Sequence, residues 1–181
     1  MASATTACIT ELRPAPDRVV AGLAALAVAI HVLEAAIPSP LPGLKPGLAN
    51  VITLIALFRY GWRVAAWVSV LRVIGGSLLL GTFLTPTFLL SAGGAILSML
   101  ALGAVRPLAR LGLGPTGAGA LAATAHLGGQ VTVAWLLFIP HPGIWQLLPF
   151  LLVIAVPLGV GTGLIAAATL QELRRLETQT S

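Results

Sequence analysis

The chain has 181 residues, 57% of them hydrophobic and 8% charged, with a net charge of +5 and one cysteine. Soluble domains carry about 25% charged residues, so this composition excludes a water-facing globular surface and predicts a single domain built in a membrane. Cys8 alone excludes an intramolecular disulfide, and the basic residues stand in scattered pairs without the continuous patch that nucleic acid requires.

Residues 1–17 are polar and contain proline, which predicts a disordered cytoplasmic lead. The apolar run 18–37 is too long for a signal-peptide core and ends in LEAAIPS, without a small-x-small cleavage site, so it predicts a retained first helix. The segment EAAIPSPLPGLKPGLAN, residues 34–50, follows with an acid, a lysine, four prolines and an asparagine. Five further apolar runs occupy 48–58, 64–80, 88–105, 116–138 and 144–170. The first of these has roughly the length of a half-span, or of a helix whose ends are buried in protein, against the ~20 residues that cross a bilayer. The expected architecture is an all-α integral membrane protein with six transmembrane helices over 18–170 and a cytoplasmic tail at 171–181.

The loops support that count. Counting an even number of spans puts Arg13, Arg18, Arg59, Arg63, Arg106, Arg110, Arg174 and Arg175 on one side and Lys45 alone on the other. This is a positive-inside pattern with both termini cytoplasmic.

The remaining polar residues fall at the midplane or in the outer half. Glu34 lies in the last turn of helix 1, Lys45 and Asn50 flank the start of helix 2, and Arg72 is near the middle of helix 3. Ser91 is in the outer half of helix 4, and His126 and Gln130 lie four apart on one face of helix 5. An arginine at mid-membrane costs at least ~2.5 kcal/mol and needs a partner or a wet cavity. Glu34, the one embedded acid, is its natural partner, either as a structural ion pair or as part of a ligand-lining set. His126 and Gln130 fit a helix–helix hydrogen bond or a ligand contact. A metal site is not expected, because His31 and His141 are the only other histidines and no cysteine lies near.

Pro38, Pro40, Pro42 and Pro46 set a stiff path before helix 2. It reads as an ordinary connection or as a lid. With Lys45, the N–H groups at the start of helix 2 form a candidate anion site at the outer mouth.

The stretches LEAAIPSPLPGLKPGLANVITLIAL, LRVIGGSLLLG, LLSAGGAILS and HLGGQ are similar to the Gx transporter family, also described as heptaprenyl diphosphate synthase component I. That family resembles the substrate-binding S components of energy-coupling factor transporters, six-helix proteins of the bacterial cytoplasmic membrane. The resemblance implies that Ala21, Ala25 and Ala29, an A-x-x-x-A stripe on helix 1, contact a transmembrane coupling subunit that works with ATPases. Small residues four apart also serve ordinary helix packing. Where the family reads His-Asn-x-Gly-Gln, this chain has Leu127 after His126, so the Asn contact does not carry over.

Autonomous prenyl transfer is not expected on chemical grounds. It holds a diphosphate through Mg²⁺ on clustered aspartates, whereas this chain has one aspartate, Asp17, and one embedded acid. Ser91, Ser98 and His126 lack a nucleophile motif, and no Walker motif is present. The expectation is a non-catalytic, cofactor-free protein that takes a small, anionic organic molecule from the outer side for import, with Glu34, Lys45, Asn50, Arg72, Ser91, His126 and Gln130 at the site. The alternative is a membrane accessory to isoprenoid or quinone synthesis whose partner is a prenyl synthase subunit.

Overall fold

The computed structural model describes residues 17–36, 47–104 and 113–180, and all regular structure among them is helical. The elements are α1 (Asp17–Ala36), α2 (Ala49–Tyr60), α3 (Trp62–Leu79), α4 (Pro86–Ala104), α5 (Pro115–Leu137), a 3-10 turn (Pro142–Gln146) and α6 (Leu147–Thr180). Each expected apolar run became a helix. Pro86 and Pro115 open α4 and α5, where a missing N–H does no harm.

Among the described residues there are six α-helices, five of them long and apolar enough to cross a membrane. The exception is α2. Its 12 residues rise roughly 18 Å at ~1.5 Å each, short of the ~30 Å hydrocarbon core. A short helix is tolerated at membrane depth when protein surrounds its ends. The packing supplies that: α2 touches α1, α3, α5 and α6, and Ala49 and every residue from Val51 to Ala56 are buried. The expected sixth span is thus an enclosed helix rather than a lipid-facing one.

α2 turns directly into α3 at Gly61, whose φ of 95° suits glycine and whose N–H donates to the carbonyls of Ala56 and Leu57 at 3.1 Å. At the same end Trp62 Nε1 donates to the Met99 carbonyl at 2.9 Å, joining the start of α3 to the end of α4. Arg59 pairs with Glu177 there, so the basic α2–α3 turn and the exposed end of α6 share one end of the bundle.

Lipid tails give helices little hydrophobic reason to associate, so close packing of small residues holds such bundles together. Ala27, Ala56, Ala65, Ala118 and Ala166 fill the centre beside Leu54 and Val68. α5 and α6 approach most closely at Gly119, where an added Cβ would overlap the Gly159 carbonyl and crowd the Gly163 backbone. Large apolar residues such as Leu33, Trp67, Ile96, Phe150 and Val153 point outward, as a lipid-facing surface requires.

Candidate functional site

The site begins at the junction of α1 and α2. The free N–H groups at a helix start need acceptors, and Glu34, in the last turn of α1, supplies them. Its Oε1 accepts from Leu48 N at 2.5 Å and its Oε2 from Ala49 N at 3.5 Å. The carboxylate is 3% exposed. A negative charge there also meets the positive end of the α2 dipole. The donors expected to receive an external anion are therefore bonded to an internal one, which corrects that reading of the helix 2 start.

The next residue, Asn50, presents Oδ1 to Arg72 Nη1 at 2.8 Å. Arg72 is 6% exposed. It feels the charge of Glu34, yet no direct ion pair between the two occurs among the described residues. The expected tie between helices 1 and 3 is relayed instead: Glu34 holds the start of α2, and α2 holds Arg72 through Asn50. Arg72 Nε is buried without a hydrogen-bond partner among the described residues, while Nη1 is held by Asn50. Thr53 Oγ1, one turn beyond Asn50 on the same face of α2, is the other buried side-chain atom left unpaired.

The second half of the site is imidazole. His126, on α5, lies with its ring directly against Gly94 of α4. A Cβ at Gly94 would come within 2.7 Å of Nε2, so glycine makes room for the ring. His126 also feels the charges of Arg72 and His31. His31 is seated on Gly76 of α3 in the same manner.

The structure thus brings Glu34, Asn50 and Arg72 together around the start of α2, while His126 sits on Gly94 of α4. Ser91 and Gln130 are half-buried on α4 and α5, and no hydrogen bond among the described residues joins either to the cluster. Lys45 and the four prolines lie outside the described residues. Ala21, Ala25 and Ala29 are all exposed on α1. Sequence reasoning missed His31 and Thr53. His31 stands three residues before Glu34, on the same helix face, a spacing that could have flagged it.

A bundle of long apolar helices around the buried Glu34 and Arg72, with half-buried imidazoles on α1 and α5, defines a multi-pass membrane protein with a polar centre. Residues 23–169 match the family described as heptaprenyl diphosphate synthase component I. The match covers most of the chain, and the protein belongs to that family. No curated protein and no solved structure matches it.

Proposed function

We propose that the protein captures a small anionic organic molecule from the outer side of the membrane for import, as the substrate-binding part of a transporter. The observation that carries this is Nε of Arg72, a donor buried in the bundle with no acceptor among the described residues, on the side of the guanidinium away from the Asn50 contact. Leaving a buried donor unpaired costs roughly 1–3 kcal/mol, more for a charged group, so an external oxygen would offset a standing penalty. Planar anions match a guanidinium in geometry as well as charge. Both termini face the cytoplasm in this reading, in line with the arginine distribution. Lys45 belongs to the outer mouth, and Ser91 and Gln130 line the path to Arg72. The exposed Ala21–Ala25–Ala29 stripe is the seat for a transmembrane coupling subunit with its ATPases, in the bacterial cytoplasmic membrane.

The family's description favours a second reading, a non-catalytic membrane accessory that presents lipid substrate to a soluble prenyl synthase subunit. Both readings leave the chain without catalysis of its own. Its embedded acid, Glu34, is engaged by the α2 backbone, and among the described residues no carboxylate cluster stands beside it for Mg²⁺.

One purification tests both. Wild type and Arg72→Met are taken from native membranes in mild detergent, and the small molecules and proteins that accompany them are identified by mass spectrometry. An acidic organic compound present with wild type and absent from Arg72→Met supports capture at Arg72. Identical compounds with both proteins mean the site is elsewhere. An ATPase-linked coupling subunit in the eluate supports import, and a prenyl synthase subunit supports the accessory role.

A further inference from the structure

α3 passes to α4 through residues 80–85, and α5 passes to α6 through residues 138–146. Both turns lie at the same end of the bundle, because Gly129 of α5 packs on the Gly93 carbonyl of α4 about two turns from each helix end. The opposite end is the one marked by Arg59 and Glu177, where Trp62 ties the start of α3 to the last turns of α4. A turn that projects into water is normally polar or charged. Here no charged residue occurs between Arg72 and Arg106, nor between Arg110 and Glu172. The two turns instead expose Phe83, Leu84, Phe138, Ile139 and Trp145.

Their backbones are largely closed from within, as a water-poor layer requires. In the second turn Pro140 and Pro142 have no N–H to satisfy. Phe138 and Ile139 donate to the Ala134 carbonyl at 3.0 and 2.8 Å, His141 to the Ile139 carbonyl at 2.7 Å, and Ile144 to the His141 carbonyl at 3.2 Å. Gly143 donates to Nδ1 of His141 at 3.1 Å, so the imidazole also serves the turn. In the first turn Gly81, Thr82 and Thr85 donate to the carbonyls of Leu78, Ser77 and Thr82, and the Thr85 hydroxyl donates to the Thr82 carbonyl at 2.6 Å. Rings pack beside both turns: Phe83 lies 4.9 Å from Phe88, and Trp135 lies 6.1 Å from Trp145. Leu84 adopts a φ of 60°, a region that bulky residues rarely enter, and it is 69% exposed. Strain that displays an apolar side chain gains nothing in water and is offset when that side chain meets lipid.

We propose that turns 80–85 and 138–146 are a lipid-binding surface, immersed in the interfacial layer of one leaflet where headgroups meet acyl chains. Tryptophan favours that layer because its ring is apolar and its N–H is polar. The prolines, His141 and Gln146 suit the same depth, within reach of headgroups and short of the hydrocarbon core. The bundle is then held from both sides, by apolar turns in one leaflet and by the arginines at the headgroups of the other. This surface does not depend on what Arg72 binds.

The test uses the full-length protein with Cys8→Ser, which removes its one cysteine, in vesicles of phosphatidylcholine and phosphatidylglycerol. Leu84→Cys and Ile139→Cys each receive a nitroxide label, and Thr178→Cys on the exposed end of α6 serves as the reference. Collision of the label with oxygen, which concentrates in lipid, is compared with its collision with a nickel chelate, which stays in water. The expected result is that oxygen dominates at positions 84 and 139 and the nickel chelate at 178. Phe83→Cys and Trp145→Cys repeat the measurement should a first variant fold poorly. Labels at 84 and 139 that meet the nickel chelate as readily as the label at 178 overturn the proposal, because the turns then project into water. Labels reached by neither reagent overturn it as well, because protein then covers the turns.

Discussion

Arg72 on α3 donates from Nη1 to Oδ1 of Asn50 on α2 at 2.8 Å, and this is the one hydrogen bond that the buried guanidinium makes among the described residues. Asn50 therefore aims the side chain: with Nη1 held, the unpartnered Nε has a fixed direction. Asn50→Leu removes the acceptor and leaves a second buried donor without a partner. The expected loss is roughly 1–3 kcal/mol of stability, because an unmade charged hydrogen bond in the interior is not recovered elsewhere. Asn50→Asp keeps the oxygen and adds a negative charge beside Arg72. It should hold the fold while weakening binding of benzoate, used as a probe anion, because the guanidinium is then neutralised from within. Melting temperature and probe affinity, measured on both variants, separate these effects.

Glu34 braces the same arrangement from the other side. Its carboxylate accepts from Leu48 N and Ala49 N and faces the α2 dipole. Glu34→Gln keeps one acceptor oxygen but removes the charge that Arg72 feels. Breaking a buried charge pair by removing one partner costs about 3–5 kcal/mol in soluble proteins, and the relay through Asn50 should bring the loss to the lower end here. A melting temperature unchanged by Glu34→Gln would show that Glu34 is an ordinary cap with no electrostatic role. A gain in benzoate affinity alongside the loss of stability would fit an Arg72 relieved of its internal counter-charge.

Gly94 and His126 test the imidazole half. A Cβ at Gly94 would sit 2.7 Å from Nε2, so Gly94→Ala must displace the ring or part α4 from α5. Overpacking of this kind costs roughly 1–3 kcal/mol. His126→Gly removes the obstructed side chain, so Gly94→Ala in that background should cost less. The double-mutant cycle is expected to show a coupling of about 0.5–3 kcal/mol, the range for residues in contact. Additivity of the two changes would place the ring away from Gly94.

How much of this was legible beforehand follows from which physical signals a sequence carries. Apolar length and proline positions announced all six helices, and the helix starts and ends differ from the expected ones mainly at α6, which continues to Thr180 because residues 171–180 hold no glycine or proline to stop it. That Glu34, Asn50 and Arg72 would lie near one another was legible because charged and polar side chains are costly at membrane depth and gather for that reason. The connectivity was not. That Glu34 would bond to backbone N–H groups rather than to Arg72 depends on the angle between α1 and α2, and no spacing in the sequence encodes it. His31 escaped notice because its significance lies in Gly76, a residue 45 positions away on another helix, on which its ring is seated. Likewise, α2 was expected among the spans because its flanking arginines fit an even count, whereas its enclosure by four other helices is a property of the packed bundle.

Arg59 and Glu177 form an ion pair at the basic end, where their side chains remain 20% and 45% exposed. Exposed pairs contribute about 0–1 kcal/mol and are screened by salt. Arg59→Ala is therefore expected to leave the melting temperature within a degree or two of wild type at physiological ionic strength. Its consequence should appear in orientation instead, since the residue belongs to the positive-inside set. Cysteine accessibility at position 177, probed from each side of the membrane, measures that orientation. A large stability loss in Arg59→Ala would mean that the pair is shielded from solvent by a partner.

Two alanines on α1 give the sharpest contrast between packing and recognition. Ala27 is fully buried against the centre of the bundle, whereas Ala25, two positions earlier, is exposed on the face that also carries Ala21 and Ala29. Ala27→Leu inserts a side chain where none fits and should cost roughly 1–3 kcal/mol or prevent folding. Ala25 is exposed, so the effect of Ala25→Leu on stability should stay within about 0.5 kcal/mol. If the stripe seats a coupling subunit, Ala25→Leu will nevertheless abolish co-purification of that partner, because close approach of two membrane helices requires small residues at the contact. Retention of the partner by a normally folded Ala25→Leu protein would reduce the stripe to a lipid-facing surface, and would shift the balance toward the accessory reading.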